Sequence, residues 1–174
     1  MAHNEDTGFD DELEQSRAET RAAFENRAIM YAYLYEELSD ELGDDRATEL
    51  MKRAIYRRGV EVGQKYRSAA HAGDLAEVGE IFCQGTPCDG ELFNPSVEEE
   101  GEGYVVLSMT SCPLLDAWKE IGLNPEEIDH MCSMAAAVDE GTFEGAGLDL
   151  EFLDRLGRPG SERCLLCVRT KEGR

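Results

Sequence analysis

The chain has 174 residues, of which 41% are hydrophobic and 32% are charged, values typical of one folded domain with a sizeable core. Its net charge of −21 argues against nucleic acid and anionic membranes as partners, because both attract basic surfaces. The polar segment from Met1 to Asp11 lacks the basic and apolar regions of a secretory signal. We therefore expect a soluble cytoplasmic protein whose cysteines stay reduced.

The chain is predicted to consist of a short tail and one folded domain. Residues 1–9 are predicted to form a disordered acidic tail, and residues 10–174 a single domain, since no linker suggests a second one. Helical patterns fill the first half of that domain, and most of the strand patterns lie in the second. This order predicts an α+β fold with long N-terminal helices packed on a small antiparallel sheet, with further helices interspersed.

The first half of the domain has the periodicity of helices. Apolar residues at intervals of three and four predict a long helix that ends at Gly43. Asp44 or Asp45 is expected to cap a second helix, which runs to about His71. The apolar face of the first helix consists of Phe24, Ala28, Tyr31, Tyr35, Leu38 and Leu42.

Two glycines four residues apart, Gly59 and Gly63, share one face of the second helix. Such a pair permits either close packing of another helix or a ligand against bare backbone, and packing is the favoured interpretation.

Asp74 is expected to cap a short third helix. The glycines, prolines and acidic residues of segment 84–103 predict a loop, with a short strand near residues 91–93.

The second half of the domain alternates strands with short helices. The predicted elements are a strand over residues 104–109, a helix from Pro113 to about Ile121, a helix capped by Asn124 that reaches about Val138, a strand over residues 148–152 and a strand over residues 164–169.

Six cysteines in a reducing compartment indicate metal binding, catalysis or buried small side chains rather than disulfides. Cys112 immediately precedes a helix, whose free N–H groups and partial positive charge stabilise a thiolate. Cys132 lies within the next helix, two residues after His130, and Cys164 opens the last strand. Cys167 should point to the opposite face of that strand. We therefore discount Cys164 and Cys167 as a zinc knuckle, which requires a turn rather than a strand.

Other candidates are weaker. Cys83 and Cys88 lie in or near the irregular loop and, like Cys167, are more simply interpreted as buried small side chains. Arg53, Arg57 and Arg58 on the second helix could attract a substrate carboxylate. Pairing with glutamates on the helix surface is the favoured interpretation of these arginines.

Several motifs occur in an order that is typical of one enzyme family. They are Leu42-Gly43, Ala54-Ile55-Tyr56-Arg57-Arg58-Gly59, Thr110-Ser111-Cys112-Pro113, Trp118-Lys119-Glu120-Ile121-Gly122-Leu123, Cys132, Glu140-Gly141 and, after a β hairpin, Cys164. With these motifs the chain resembles, over roughly residues 25 to 170, the L-2-amino-thiazoline-4-carboxylic acid hydrolase family.

The resemblance implies a hydrolase that opens the C=N-containing ring of a small cyclic amidine by acting on its C–N bonds. It implies site residues at Cys112, Cys132 and Cys164, with Cys112 also a catalytic residue. Such sequences commonly have an acidic residue three positions after the middle cysteine, where this chain has Ala135. Asp139, one helical turn further, is expected to replace it as a catalytic group.

The chemistry at these cysteines has more than one interpretation. Three thiolates could hold a zinc or similar ion, or an iron–sulfur cluster, and leave one position open for substrate. Without a metal, Cys112 would itself attack the ring, with His130 as a weak candidate base; the metal or cluster is ranked first. A sensor module that binds a small ligand or metal without turnover is the alternative to an enzyme. Cysteines that serve only as core packing are a third interpretation, and the sequence leaves a homo-oligomer open.

Overall fold

The computed structural model describes the backbone of residues 6–171 and the side chains of residues 10–171. Helices dominate the first half of this range, and a sheet is built from its second half. The helices are α1 (Asp6–Leu42), α2 (Asp44–Val62), α3 (Arg67–Ala72), α4 (Leu75–Gln84), α5 (Pro113–Glu120), α6 (Pro125–Ala135) and α7 (Ala137–Ala146), with 3₁₀ turns at Gly63–Tyr66 and Cys88–Gly90, and the strands are β1 (Pro95–Gly101), β2 (Tyr104–Met109), β3 (Leu148–Asp154) and β4 (Cys164–Thr170).

The four strands form one antiparallel sheet in the order β1-β2-β4-β3. Its central strands β2 and β4 are rich in β-branched and aliphatic residues, which favour a pleated, buried surface. One face of the sheet packs on α4 and α7 around the fully buried Phe143 and Leu166. The predicted α+β fold, with long N-terminal helices and a small antiparallel sheet, is confirmed.

A second hydrophobic cluster lies where α1, α2, α5 and α6 meet. Its centre is Trp118, which is 1% exposed and donates a hydrogen bond from Nε1 to the backbone oxygen of Ala28 at 2.9 Å. This bond fixes α5 against the middle of α1. Although α1 has 37 residues, no helix within residues 6–171 combines the length and the apolar character needed to cross a membrane.

Helices α2 and α7 approach each other closely because glycines face each other at their crossing. A Cβ atom on Gly59 would lie 2.9 Å from Cα of Gly141, and one on Gly141 would lie 3.0 Å from the backbone nitrogen of Val60. Gly63 likewise lies against the backbone of Thr142. The interpretation of Gly59 and Gly63 as a close-packing pair is therefore confirmed, and the crossing fixes the start of α7.

The N-terminal boundaries differ in part from the predictions. Helix α1 begins at Asp6, inside the segment predicted to be a disordered tail; the rest of that prediction falls on residues 1–5, which lie outside the described residues. Gly43, rather than an aspartate, is the N-cap of α2. Asp44 and Asp45 instead occupy its first turn, where carboxylates interact favourably with the helix dipole.

Two of the predicted helix caps are confirmed, and two of the predicted helices are each divided in the structure. The predicted caps Asp74 and Asn124 both accept hydrogen bonds from backbone N–H groups of the following turn. The predicted second helix continues past Val62 as a 3₁₀ turn and then α3. The predicted helix from Asn124 to about Val138 is divided at Ala136, so that α7 starts as a separate helix.

The strand β1 was predicted to be a loop, and the strand expected at residues 91–93 is absent there. Acidic residues have low β propensity, but they are common on edge strands, where they oppose aggregation. β1 is such an edge strand, and it pairs only with β2. The buried Ser108 of β2 donates a hydrogen bond to Glu98 of β1 at 2.8 Å. This bond helps to hold the glutamate-rich strand β1 against β2.

Candidate functional site

An apolar cavity of about 280 Å³ lies at the junction of the two hydrophobic clusters. Tyr66 and Phe82 of the sheet cluster form part of its wall, and Leu114 and Trp118 of the second cluster form another part. Ligand pockets in proteins commonly have volumes of roughly 300–1,000 Å³. The cavity is thus close in size to the small end of this range.

All four residues named as site candidates line this cavity. Cys112 is the N-cap of α5, Cys132 lies in α6, and Cys164 is the first residue of β4. Asp139 is in the first turn of α7, and Ala135, which stands where relatives commonly have an acidic residue, also contributes to the wall. The structure thus brings together residues from four elements: α5, α6, α7 and β4.

The sulfur atoms of these three cysteines accept hydrogen bonds from backbone N–H groups, and each bond lowers the pKa of its thiol. By contrast, the pKa values of Cys83 and Cys167 show no such contribution. Backbone donors to sulfur are a feature of sites at which a thiolate or a bound metal must be stabilised. The donors are Leu115 and Leu114 to Cys112, Gly157 to Cys132, and Leu156 to Cys164, the last at 3.4 Å.

Burial nevertheless outweighs these hydrogen bonds. It raises the pKa of Cys112 to about 11 and that of Cys164 to about 12, and it also raises the pKa of Cys132. The thiolate that the start of α5 was expected to stabilise on Cys112 is therefore disfavoured by the apolar surroundings. At neutral pH the three side chains are uncharged thiols.

The carboxyl group of Asp139 is the acidic group most perturbed by this environment. Burial, followed by the nearby charge of Glu140, raises its pKa to about 7, and no hydrogen bond contributes. The side chain lies deep in the protein, yet part of its surface is accessible because it faces the cavity. An unpartnered carboxyl group that titrates near neutrality in a cleft is a typical sign of a functional site.

A three-cysteine metal centre fits this site in its chemistry but not in its spacing. Three soft sulfur atoms with backbone donors are suitable ligands for zinc or for iron–sulfur clusters. Within the part of the chain that the structure describes, however, no three His, Cys, Asp or Glu side chains are grouped closely enough to hold a metal ion.

The other sequence candidates lie outside the cavity. His130 Nε2 is 3.0 Å from Thr48 Oγ1, and its ring borders a separate surface pocket, so it cannot serve as a base for Cys112. Of the three arginines of α2 that were expected to pair with glutamates on the helix surface, two do so. Arg53 pairs with Glu49 at 3.8 Å and Arg58 with Glu61 at 2.9 Å.

The three remaining cysteines also lie away from the cavity. Cys167 is buried on the opposite face of β4 from Cys164, as its position in the strand predicted. Cys83 packs against the sheet cluster, and Cys88 has a positive φ of 57° in the second 3₁₀ turn. None of these three side chains is part of the cavity wall.

Three basic residues of the wall were missed from the sequence: Arg27, Lys65 and Arg155. Arg155 forms an ion pair with Asp129 at 2.9 Å, which holds the β3–β4 connection against α6. No motif or spacing marks these residues. Their long side chains reach the cavity only because the tertiary fold brings separate segments together.

Comparison with solved structures shows the same fold in a distant protein. The structure resembles a crystal structure of a trafficking protein particle complex subunit 3 from Naegleria fowleri covalently bound to palmitic acid. The TM-score is 0.56 at 15% sequence identity, over 87% of this chain and 96% of that chain. No curated protein matches the sequence. The family model for L-2-amino-thiazoline-4-carboxylic acid hydrolase matches residues 21–167, most of the chain, and the protein therefore belongs to this family.

Proposed function

We propose that the protein is a hydrolase that opens the ring of a small cyclic amidine of the thiazoline type, with Asp139 as its general acid–base group. The family description supports this type of substrate. The observation that carries the proposal is the carboxyl group of Asp139, which has no partner among residues 10–171 and faces an apolar cavity with a pKa of about 7. General acid–base catalysis is most effective when the pKa of the group is near the working pH.

The reaction consumes one water molecule and leaves Asp139 unchanged. The carboxylate removes a proton from water as the oxygen bonds to the amidine carbon of the ring, and the protonated carboxyl group gives that proton to the ring nitrogen. Asp139 then transfers the proton of the new hydroxyl group to the same nitrogen as the C–N bond breaks, so that a carbonyl group forms at the former amidine carbon and the nitrogen leaves as an amine. A pKa near 7 lets one side chain perform both transfers.

Water is favoured over Cys112 as the nucleophile. With a pKa of about 11, the Cys112 thiol needs a base before it can attack. The charge of Asp139 contributes to the raised pKa of Cys132 and Cys164, whereas the groups that act on Cys112 are Cys132 and Asp116. The charge of Asp139 thus acts on Cys132 and Cys164, and it is not among the causes of the pKa shift of Cys112.

A metal ion or iron–sulfur cluster at Cys112, Cys132 and Cys164 remains a separate proposal. The donor set and the backbone N–H groups support it, and when bound such a group would supply a Lewis acid. It requires the three cysteines to move closer together than they are in this structure. The proton transfers assigned to Asp139 do not depend on it.

A second candidate function is ligand binding without turnover. The similar trafficking subunit is described as covalently bound to palmitic acid, and the cavity of the present protein has cysteines on an apolar wall. Neutral thiols with raised pKa values favour a binding role over rapid nucleophilic attack. In this case Asp139 would contact the ligand without transferring protons.

The test is ring opening of 2-amino-2-thiazoline-4-carboxylate, followed by mass spectrometry under anaerobic conditions. We expect turnover by the wild-type protein and a loss of 10²- to 10⁴-fold in kcat for Asp139→Asn, the usual contribution of a general acid–base group. Asp149→Asn is the matched control, because this exposed residue of β3 lies outside the cavity. Binding of the ring without turnover would overturn the hydrolase proposal and favour the binding function.

A further inference from the structure

Two basic side chains of the cavity wall have no acidic partner within the part of the chain that the structure describes. Both stand out on a protein with a net charge of −21. The guanidinium carbon of Arg27 lies 4.3 Å from the centroid of the Phe24 ring, and Lys65 Nζ lies 5.0 Å from the centroid of the Tyr66 ring. The third basic residue, Arg155, is already paired with Asp129.

The ammonium group of Lys65 lies close to the backbone at the end of α4 and is not paired with a carboxylate of the described residues. Gly85, the C-cap of α4, lies directly beneath it, so that any Cβ atom at this position would overlap Lys65 Nζ. Cations are stabilised at helix C-termini by the free carbonyl groups there. This arrangement positions the positive charge at the cavity without neutralising it.

Both residues line the cavity and are exposed to solvent, so each lies at the boundary between the cavity and the solvent. Partial burial lowers the pKa of Lys65, as expected for a cation that lacks a counter-charge. A ligand with an apolar part and an anionic group would match both the apolar cavity and the two cations. Its apolar part would occupy the cavity, and its anionic group would contact Lys65 and Arg27 at the boundary with solvent.

We propose that Lys65, with Arg27 as a second contact, forms an anion-binding subsite that takes the carboxylate of a small ligand. The inference deepens the proposed function, and it rests on that function only for the nature of the reacting ring. The subsite itself would bind the carboxylate of any ligand whose apolar part fits the cavity. Lys65 is thus a specificity-determining residue, whereas Asp139 is assigned to the chemistry.

The first test uses octanoate and its uncharged analogue octanamide. Binding is followed by the fluorescence of Trp118, the single tryptophan of the chain, which lies in the cavity wall. We expect octanoate to bind the wild-type protein at least about tenfold more tightly, as for a hydrogen bond to a charged group. Lys65→Met should lose this preference, and Arg27→Gln should lose about threefold, because Arg27 is the second contact and exposed charge pairs contribute little.

The matched control is Arg57→Gln, which removes one positive charge from the exposed surface of α2, outside the cavity. Unfolding midpoints of all variants verify that they fold. Two results would overturn the subsite. One is equal binding of octanoate and octanamide by the wild-type protein, and the other is an equal loss of octanoate binding in Lys65→Met and Arg57→Gln.

A second substrate pair separates this inference from the hydrolase proposal. 2-Amino-2-thiazoline-4-carboxylate and 2-amino-2-thiazoline differ only in the carboxylate. Octanoate binding that depends on Lys65, together with no ring opening, would support the subsite and contradict the hydrolase. Ring opening with the same KM in wild type and Lys65→Met would support the hydrolase and contradict the subsite.

Discussion

Gly157 lies directly against Cys132, so that a Cβ atom on this glycine would be 2.8 Å from the sulfur. Its N–H group also donates a hydrogen bond that lowers the pKa of the Cys132 thiol. The connection between β3 and β4 therefore reaches α6 through bare backbone. This contact fixes the position of the middle cysteine of the cavity.

Gly157→Ala is expected to destabilise the protein by about 1–3 kcal/mol, the usual cost of inserting a methyl group into a packed site. Urea unfolding measures the loss. The double variant Cys132→Gly/Gly157→Ala removes the atoms that would overlap, and it should lose less than the sum of the two single variants. Additive losses would mean that the two residues are not in contact in solution.

Asp139→Asn is expected to stabilise the protein although it lowers kcat by about 10²- to 10⁴-fold. Burial raises the folded-state pKa of Asp139 from 3.8 to about 7, so ionisation favours the unfolded chain. The contribution of Asp139 to stability is complete below pH 4 and is lost as the pH rises to about 7. The advantage of the variant should grow across this window, by about 1.4 kcal/mol for each pKa unit of the shift.

Unfolding by urea at pH 4.5 and pH 8 measures this difference, with Asp149→Asn as the control. A constant difference between wild type and Asp139→Asn at the two pH values would show that Asp139 is not buried in the folded protein.

The pH dependence of ring opening should report the same group. A base with a pKa of about 7 predicts that kcat/KM rises through neutral pH and levels off above it. The charge of Glu140 contributes to that raised pKa, so Glu140→Gln should move the profile to lower pH. A profile unchanged in Glu140→Gln, or one that rises only near pH 11, would point instead to a thiol such as Cys112.

The proposed three-cysteine centre predicts that anaerobically purified protein contains either iron with acid-labile sulfide or stoichiometric zinc. Cys112→Ala, Cys132→Ala and Cys164→Ala should each lose it, because three ligands are required. Cys83→Ala is the control, since this residue lies outside the cavity wall. Metal-free wild-type protein would contradict the centre and leave the assignment of Asp139 intact.

The helices and central strands were predictable because their signals are local. The cap at Asn124 and the strand at residues 104–109 follow from side-chain preferences that act over a few residues. The edge strand β1 was missed because its acidic residues are unfavourable for strands in isolation. Pairing with β2 and the hydrogen bond between Ser108 and Glu98 override that local preference.

The candidate site was predictable only where residue type was informative. Cysteines are few, so their order suggested Cys112, Cys132 and Cys164, and Asp139 followed from its position one turn beyond Ala135. Lys65 could not be found in this way. Its ammonium group reaches the cavity because Gly85, twenty positions later, leaves room for it, and no sequence pattern links the two residues.

The cavity adjoins both hydrophobic clusters, so a molecule bound in it makes dispersion contacts with side chains of both. These contacts form only in the folded state, and binding therefore raises the melting temperature. The natural ligand can thus be sought by the heat resistance that it gives to the protein, before any reaction is known.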